Sequence, residues 1–262
     1  MSSVLAEVQG NEPSPEHSDR TLIAPLKHTV KFIAILAALG VAGIVLQVHL
    51  HSQPPNKVTM PGGLASRNSF VPRELSLILA EWALLYFVWR GIRLKGMKLR
   101  DLIGGSWNSG KRISVDLLLG AAIGLVFMYA IVIPVALILG GRSAHASPVV
   151  NPMPPHNVFE AIVWVLASLN AGFCEEVAYR GYLQRQLRAL TGKSVVAVLL
   201  QAIVFGFVHT FEGLGGAVAA GVAGVLFGLV AWWRKSLRPG MVAHAWVDIL
   251  YGLFSGLLVK AL

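Results

Sequence analysis

Apolar runs of about twenty residues, separated by short polar stretches, recur along the chain from residue 29 onward. A run of that length is what an α-helix needs to cross the hydrocarbon core of a bilayer. The pattern predicts a first span at residues 29–47 and a second at 75–89. A third is expected at 117–139, ending in Gly140 and Gly141, and a fourth from 158 to about 190. The fifth runs from 195 to 212, the sixth from 215 to 233, and the seventh from Pro239 to about 259. The expected fold is all-α, a polytopic transmembrane helix bundle of about seven spans.

The polar stretches suggest an orientation. Trp89 and Arg90 close the second span, and the loop beyond holds Arg93, Lys95, Lys98, Arg100 and Lys111. Arg185, Arg188 and Lys193 follow the fourth span; Trp232, Trp233, Arg234 and Lys235 end the sixth. Aromatic anchors next to short basic loops are the mark of the cytoplasmic side. With these loops inside, the N-terminus is cytoplasmic and the C-terminus external. The loop with Pro54, Pro55, Gly62 and Gly63 and the nearly uncharged, Pro-rich loop before Pro155 then lie outside. Three regions are expected: a disordered polar tail at 1–26, N-terminal transmembrane helices at 27–157, and a C-terminal helix bundle at 158–262 that holds the candidate chemistry.

Composition agrees. The chain is 55% hydrophobic and 13% charged, with mean hydropathy +0.65; a soluble domain carries about twice that charged fraction. The net charge of +9 sits in short loops beside apolar runs, which argues against nucleic acid as a partner. A single cysteine excludes an internal disulfide and a cysteine-rich metal site. The acidic, polar N-terminus does not read as a signal peptide.

Most remaining features have structural explanations. Gly216, Ala220, Gly224 and Gly228 form a small-residue stripe along the sixth span, and Gly252 with Gly256 repeats it in the seventh; such stripes let helices pack backbone to backbone. Cys174 reads as a packing residue. His17, His28, His49, His51, His145 and His156 fall in the tail, in loops or near span ends and are expected to be solvated. Glu81, inside the second span, is expected to pair with a basic residue first, and otherwise to line a cavity. Glu212 either touches a site or marks the end of the fifth helix.

Three polar groups inside the last four spans are different. The first is Glu175 and Glu176 with Arg180, the second Phe205 with His209, the third His244 with Asp248. Ionisable residues at membrane depth are expensive and mark function by default. Neighbours on a helix point about 100° apart, so Glu175 and Glu176 cannot do one job. Arg180, four residues on, is placed to neutralise Glu176, leaving Glu175 to face His209 and His244. Asp248 shares a helix face with His244 and can orient its imidazole. Glu, His, His and Asp at one level suit hydrolysis, with or without zinc, the carboxylate activating water and the histidines serving as donors or ligands. Ion or proton transport uses the same kinds of groups, and the residues alone leave that open.

The three groups, in this order on consecutive late helices, resemble the CPBP family of intramembrane proteases, which includes the type II CAAX prenyl endopeptidase and bacterial abortive-infection and bacteriocin-processing proteins. The family's double glutamate, three residues, then arginine is matched by Glu175, Glu176 and Arg180. Its phenylalanine, three residues, then histidine is matched by Phe205 and His209, and its histidine, three residues, then asparagine or aspartate by His244 and Asp248. The resemblance covers roughly 158–251. It implies an endopeptidase acting on a membrane-associated, prenylated CAAX-type or other protein or peptide, with the lipid bilayer as its surroundings and no nucleic acid. Glu175, His209, His244 and Asp248 are then catalytic, and Glu176 and Arg180 supporting. Zinc is the implied metal, with His209 and His244 as candidate ligands, beside a metal-free glutamate mechanism. The implied location is the cell membrane of a bacterium. The alternatives are a non-catalytic immunity or scaffold protein of the same family, or a small proton-coupled transporter.

Overall fold

The computed structural model describes residues 21–52, 70–135, 138 and 155–261. The first twenty residues with His17, the loop at 53–69, and the stretch at 139–154 with Gly140, Gly141 and His145 lie outside the described residues. Gly256 lies where only the backbone is described.

Among the described residues all regular structure is helical. The helices are α1 (Leu26–His51), α2 (Phe70–Arg93), a short α3 (Leu99–Ile103), α4 (Gly110–Val135), α5 (Val158–Thr191), α6 (Ser194–Val208), α7 (Gly213–Arg234) and α8 (Arg238–Ala261). Five continuous stretches are long and apolar enough to cross a membrane: α1 to His49, α2, α4, α5, and Ser194–Arg234. The last is 41 residues long and doubles back at a turn over His209–Glu212 into antiparallel α6 and α7. The chain is an integral, multi-pass membrane protein.

The expected spans were too short at several ends. α1 and α2 each extend by a turn or so beyond 29–47 and 75–89. α4 begins at Gly110, well before 117, on a Ser109 cap whose hydroxyl accepts the Arg112 N–H. Polar residues at these ends hid helices that hydropathy alone cannot see. The loop after α2 also contains α3, joined by an isolated antiparallel bridge between Gly104 and Ser236 to the α7–α8 connection.

Polarity is inverted relative to a soluble protein. Leu79, Leu118, Ile203 and Trp233 are 67–70% exposed, on the surface that meets lipid. Glu176, Gln186 and Gln201 are wholly buried and Arg180 nearly so. In hydrocarbon a polar side chain needs a protein partner, so the interior collects them.

The α6–α7 hairpin is held by small residues. A Cβ on Gly206 would lie 2.7 Å from the Ala217 carbonyl, and one on Gly224 2.7 Å from the Ala202 Cα. Gly228 approaches Gln184, Gln201 and Val198 as closely. Of the predicted stripe, Gly216 faces its own Glu212 side chain instead. Gly213, with φ +84°, closes the turn in a conformation that other residues rarely adopt.

One end of the bundle gathers the cations. Leu237 N–H donates to the Ile103 carbonyl at 2.8 Å, Arg185 to the Asp101 carbonyl at 2.9 Å, and Arg238 to the Gly104 carbonyl. Buried Asp116 accepts from Arg234 at 3.0 Å and from the Trp107 indole at 2.9 Å. Trp89 stacks on Arg93 and Trp233 on Arg234 at the same end, as interfacial anchors do. His28 corrects an expectation. It is not solvated: Nδ1 meets the Tyr182 hydroxyl at 2.8 Å, Nε2 the Phe87 carbonyl at 3.0 Å, and the ring stacks on Phe87. It ties α1 to α2 and α5.

Candidate functional site

The two glutamates sit where α5 changes its winding. The helix is α-helical through Glu175, π-helical over Glu176–Leu183, and α-helical again to Thr191. All eight residues of the wider turn are buried. Such turns interrupt α-helices mainly at functional sites. Gly181 within it lets Leu102 and Leu237 close on the helix.

Arg180 and Glu176 pair as the spacing predicts, Nη1 to Oε1 at 3.0 Å, both side chains fully buried. The guanidinium lies over the Phe205 ring at 4.2 Å and the Phe227 ring at 5.6 Å. The aromatic of the second motif is thus a seat for the arginine of the first, an attraction between a cation and a ring face that strengthens away from water.

Glu175 faces the other way, toward the histidines. Its Oε2 lies 3.6 Å from Nε2 of His244 and 3.9 Å from Nε2 of His209. That oxygen is buried and has no hydrogen-bond partner among the described residues. Asp248 Oδ2 is also 3.6 Å from His244 Nε2, and Glu176 Oε1 is 3.3 Å from His244 Nδ1. His244 therefore has a hydrogen-bond partner at Nδ1 and two carboxylates 3.6 Å from Nε2.

His209 is held differently. It opens the turn between α6 and α7, and its Nδ1 contacts the Phe205 carbonyl at 2.8 Å. A carbonyl only accepts, so Nδ1 carries the hydrogen, and a neutral ring has a bare Nε2 toward Glu175. The turn is pressed into place from α1. Gly40 and Gly43 give room for Phe207, Thr210 and Phe211, and the Thr210 hydroxyl donates to the Gly40 carbonyl at 3.0 Å. Nothing in the second motif indicated that support.

Side-chain exposure rises across the group: 0% at Arg180 and Glu176, 10% at His244, 13% at His209, 18% at Glu175 and 33% at Asp248. The arginine pair forms the closed floor and Asp248 the open side.

Glu81 and Glu212 join this neighbourhood. Glu81 on α2 accepts a hydrogen bond from Asn170 on α5, and its charge is within electrostatic reach of Glu175, His244 and Asp248. The expected basic partner is absent: no ion pair among the described residues includes Glu81. Glu212 is within electrostatic reach of His209, Glu175 and His244. Asn170 was missed in the sequence, where its signal was an amide five residues before Glu175 in an otherwise apolar run. Its Oδ1 takes the Cys174 thiol as a weak donor at 3.8 Å.

The residues also bear on a metal. Two imidazoles and carboxylates are the right donor chemistry for zinc. Nε2 of His209 and Nε2 of His244 both face Glu175 Oε2, while their Nδ1 atoms contact the Phe205 carbonyl and Glu176, the outer contacts that metal-bound imidazoles also make. Among the described residues no three His, Cys, Asp or Glu side chains are grouped to hold a metal ion.

No curated protein and no solved structure matches the chain. A family model does, and it begins at the Asn157 cap of α5 and ends two residues past Asp248, so that it contains all three motifs. Residues 157–250 of this membrane protein match the model of the type II CAAX prenyl endopeptidase Rce1-like family.

Proposed function

We propose that the chain is an intramembrane endopeptidase that hydrolyses a peptide bond of a membrane-associated protein or peptide of the prenylated CAAX class, by glutamate chemistry without a metal. The observation that carries this reading is the partnerless Oε2 of Glu175 between the Nε2 atoms of His209 and His244. The family match over 157–250 supports the reaction class.

In this reading Glu175 takes a proton from water as its oxygen bonds to the scissile carbonyl carbon. The bare Nε2 of His209 accepts the water's second hydrogen and fixes its direction. Nε2–H of His244 donates to the oxyanion that develops on the former carbonyl. Glu176, at Nδ1, holds that imidazole in its plane, and Asp248 stands beside it on the open side. When the intermediate collapses the C–N bond breaks, and Glu175 returns its proton to the departing amine. Glu176 itself is kept for the structure by Arg180.

The test is cleavage of a fluorogenic farnesylated CAAX peptide by the purified protein, compared with Glu175→Gln and His209→Ala. Loss of about 10²–10⁴-fold in kcat is expected for each, with unchanged gel-filtration profiles. Undiminished cleavage by both variants would overturn the assignment.

A further inference from the structure

We propose that Glu81 of α2 is a substrate-binding residue, an anchored acceptor for a backbone N–H of the extended substrate chain; this rests on the peptidase reading above. Glu81 stands near the middle of α2, which spans Phe70–Arg93, outside the segment that matches the family model. An acid at that depth needs a purpose. Neutralising a cation is not it, since no ion pair among the described residues includes it. One carboxylate oxygen, Oε2, takes the Asn170 amide. The other, Oε1, has no hydrogen-bond partner among the described residues, and Glu81 lies within electrostatic reach of Glu175, His244 and Asp248.

The placement matches what a peptide needs there. Asn170 precedes Glu175 by five residues, roughly 7.5 Å along α5, toward the end away from the basic loops. Asp248, the most exposed of the charged group at 33%, lies one turn beyond His244 in the same direction. Glu81 thus borders the open side of the site and not its closed floor. A scissile bond is reached only in an unwound segment, whose N–H groups lose their helical acceptors. Away from water each such group costs free energy unless the protein supplies a partner. The site's other carboxylates are placed differently: Oε1 of Glu176 meets Arg180 and His244 while its unpartnered Oε2 lies in the closed floor against Gly240, Asp248 stands beside His244, and Glu175 is committed to the chemistry. Oε1 of Glu81 is a fixed acceptor, because Asn170 holds the carboxylate through its other oxygen.

The experiment measures binding and turnover separately, with full-length protein in detergent and a farnesylated CAAX peptide carrying a fluorophore. Binding is read by anisotropy in the Glu175→Ala background, where the peptide is not cut. Adding Glu81→Ala is expected to weaken binding about tenfold. With Glu175 intact, Glu81→Gln, which turns an N–H₂ toward the cavity, is expected to raise KM about tenfold while kcat and the melting temperature stay near wild type. A scan of single N-methylated peptides adds a signature that a purely structural role cannot give. One position should weaken binding to the Glu175→Ala protein and have no further effect once Glu81 is also alanine. Equal KM in wild type and Glu81→Gln, or N-methyl effects indifferent to Glu81, would overturn the assignment and leave the peptidase reading intact. A peptide that the Glu175→Ala protein does not bind and the wild type does not cut would overturn both for this substrate class.

Discussion

Oε1 of Glu176 lies 3.3 Å from Nδ1 of His244. The second glutamate of the pair is therefore more than a counter-ion to Arg180: it links the buried arginine to the imidazole that faces Glu175. Removing it both unpairs Arg180 and releases one side of His244. Glu176→Ala should lower kcat/KM by about 10–100-fold, the usual scale for losing a group that orients a histidine. Glu176→Gln, which keeps an acceptor for Nδ1, should retain most of that activity. Equal losses in the two variants, measured on the fluorogenic peptide, would show that charge and not orientation matters.

Arg180 has one ion pair and two aromatic faces, all inside the protein. Arg180→Ala leaves Glu176 as an uncompensated buried charge. A loss of roughly 3–5 kcal/mol of stability is expected, read as a lowered melting temperature in detergent. Arg180→Lys should not restore it, because an ammonium lacks the planar face that lies on Phe205. A melting curve unchanged in the alanine variant contradicts this account.

Chelation tests the absence of a metal step. Peptide cleavage should survive a zinc chelator at full rate, and added zinc should not raise it. Inhibition by the chelator and recovery with zinc would overturn the metal-free reading and make Nε2 of His209 and Nε2 of His244 ligands.

The hairpin that carries His209 depends on the contact at Gly206. A leucine there would put its Cβ 2.7 Å from the Ala217 carbonyl, a backbone atom that cannot swing away. Gly206→Leu should separate α6 from α7 and lower stability by about 1–3 kcal/mol. Gly96, whose Cβ would meet nothing within 4 Å, is the comparison site. Because its φ is +73°, alanine there should cost only about 1 kcal/mol of backbone strain. Thermal unfolding of the two variants side by side decides the matter.

His28→Ala should destabilise the fold without changing the chemistry. It removes two hydrogen bonds at the joint of α1, α2 and α5, worth about 1–3 kcal/mol when buried partners are left unsatisfied. The kcat of the folded fraction should equal wild type. A selective fall in kcat would place His28 in the reaction.

The sequence by itself determined the long apolar helices and the opposition of Glu175 and Glu176, but not the short α3. Hydrophobic run length sets the first, because the bilayer core has a fixed thickness. Helical phase sets the second, and the Glu176–Arg180 pair followed from spacing four along one helix. The one-sided gathering of lysine and arginine was visible in the loops as well. What only the tertiary structure decided are the partners between distant segments. Glu81 and Asn170 lie 89 residues apart, Thr210 and Gly40 170 residues apart, and His28 and Tyr182 154 apart. Period and composition report on one helix at a time, and in a bundle the facing of two helices is fixed by packing and not by either pattern. The π-helical turn after Glu175 and the use of Phe205 as a bed for Arg180 belong to the same class, since both arise from what closes around α5. The two halves of the sequence signal differ for that reason: local periodicity named the residues, and the packing of α1 and α2 against the late helices assembled them.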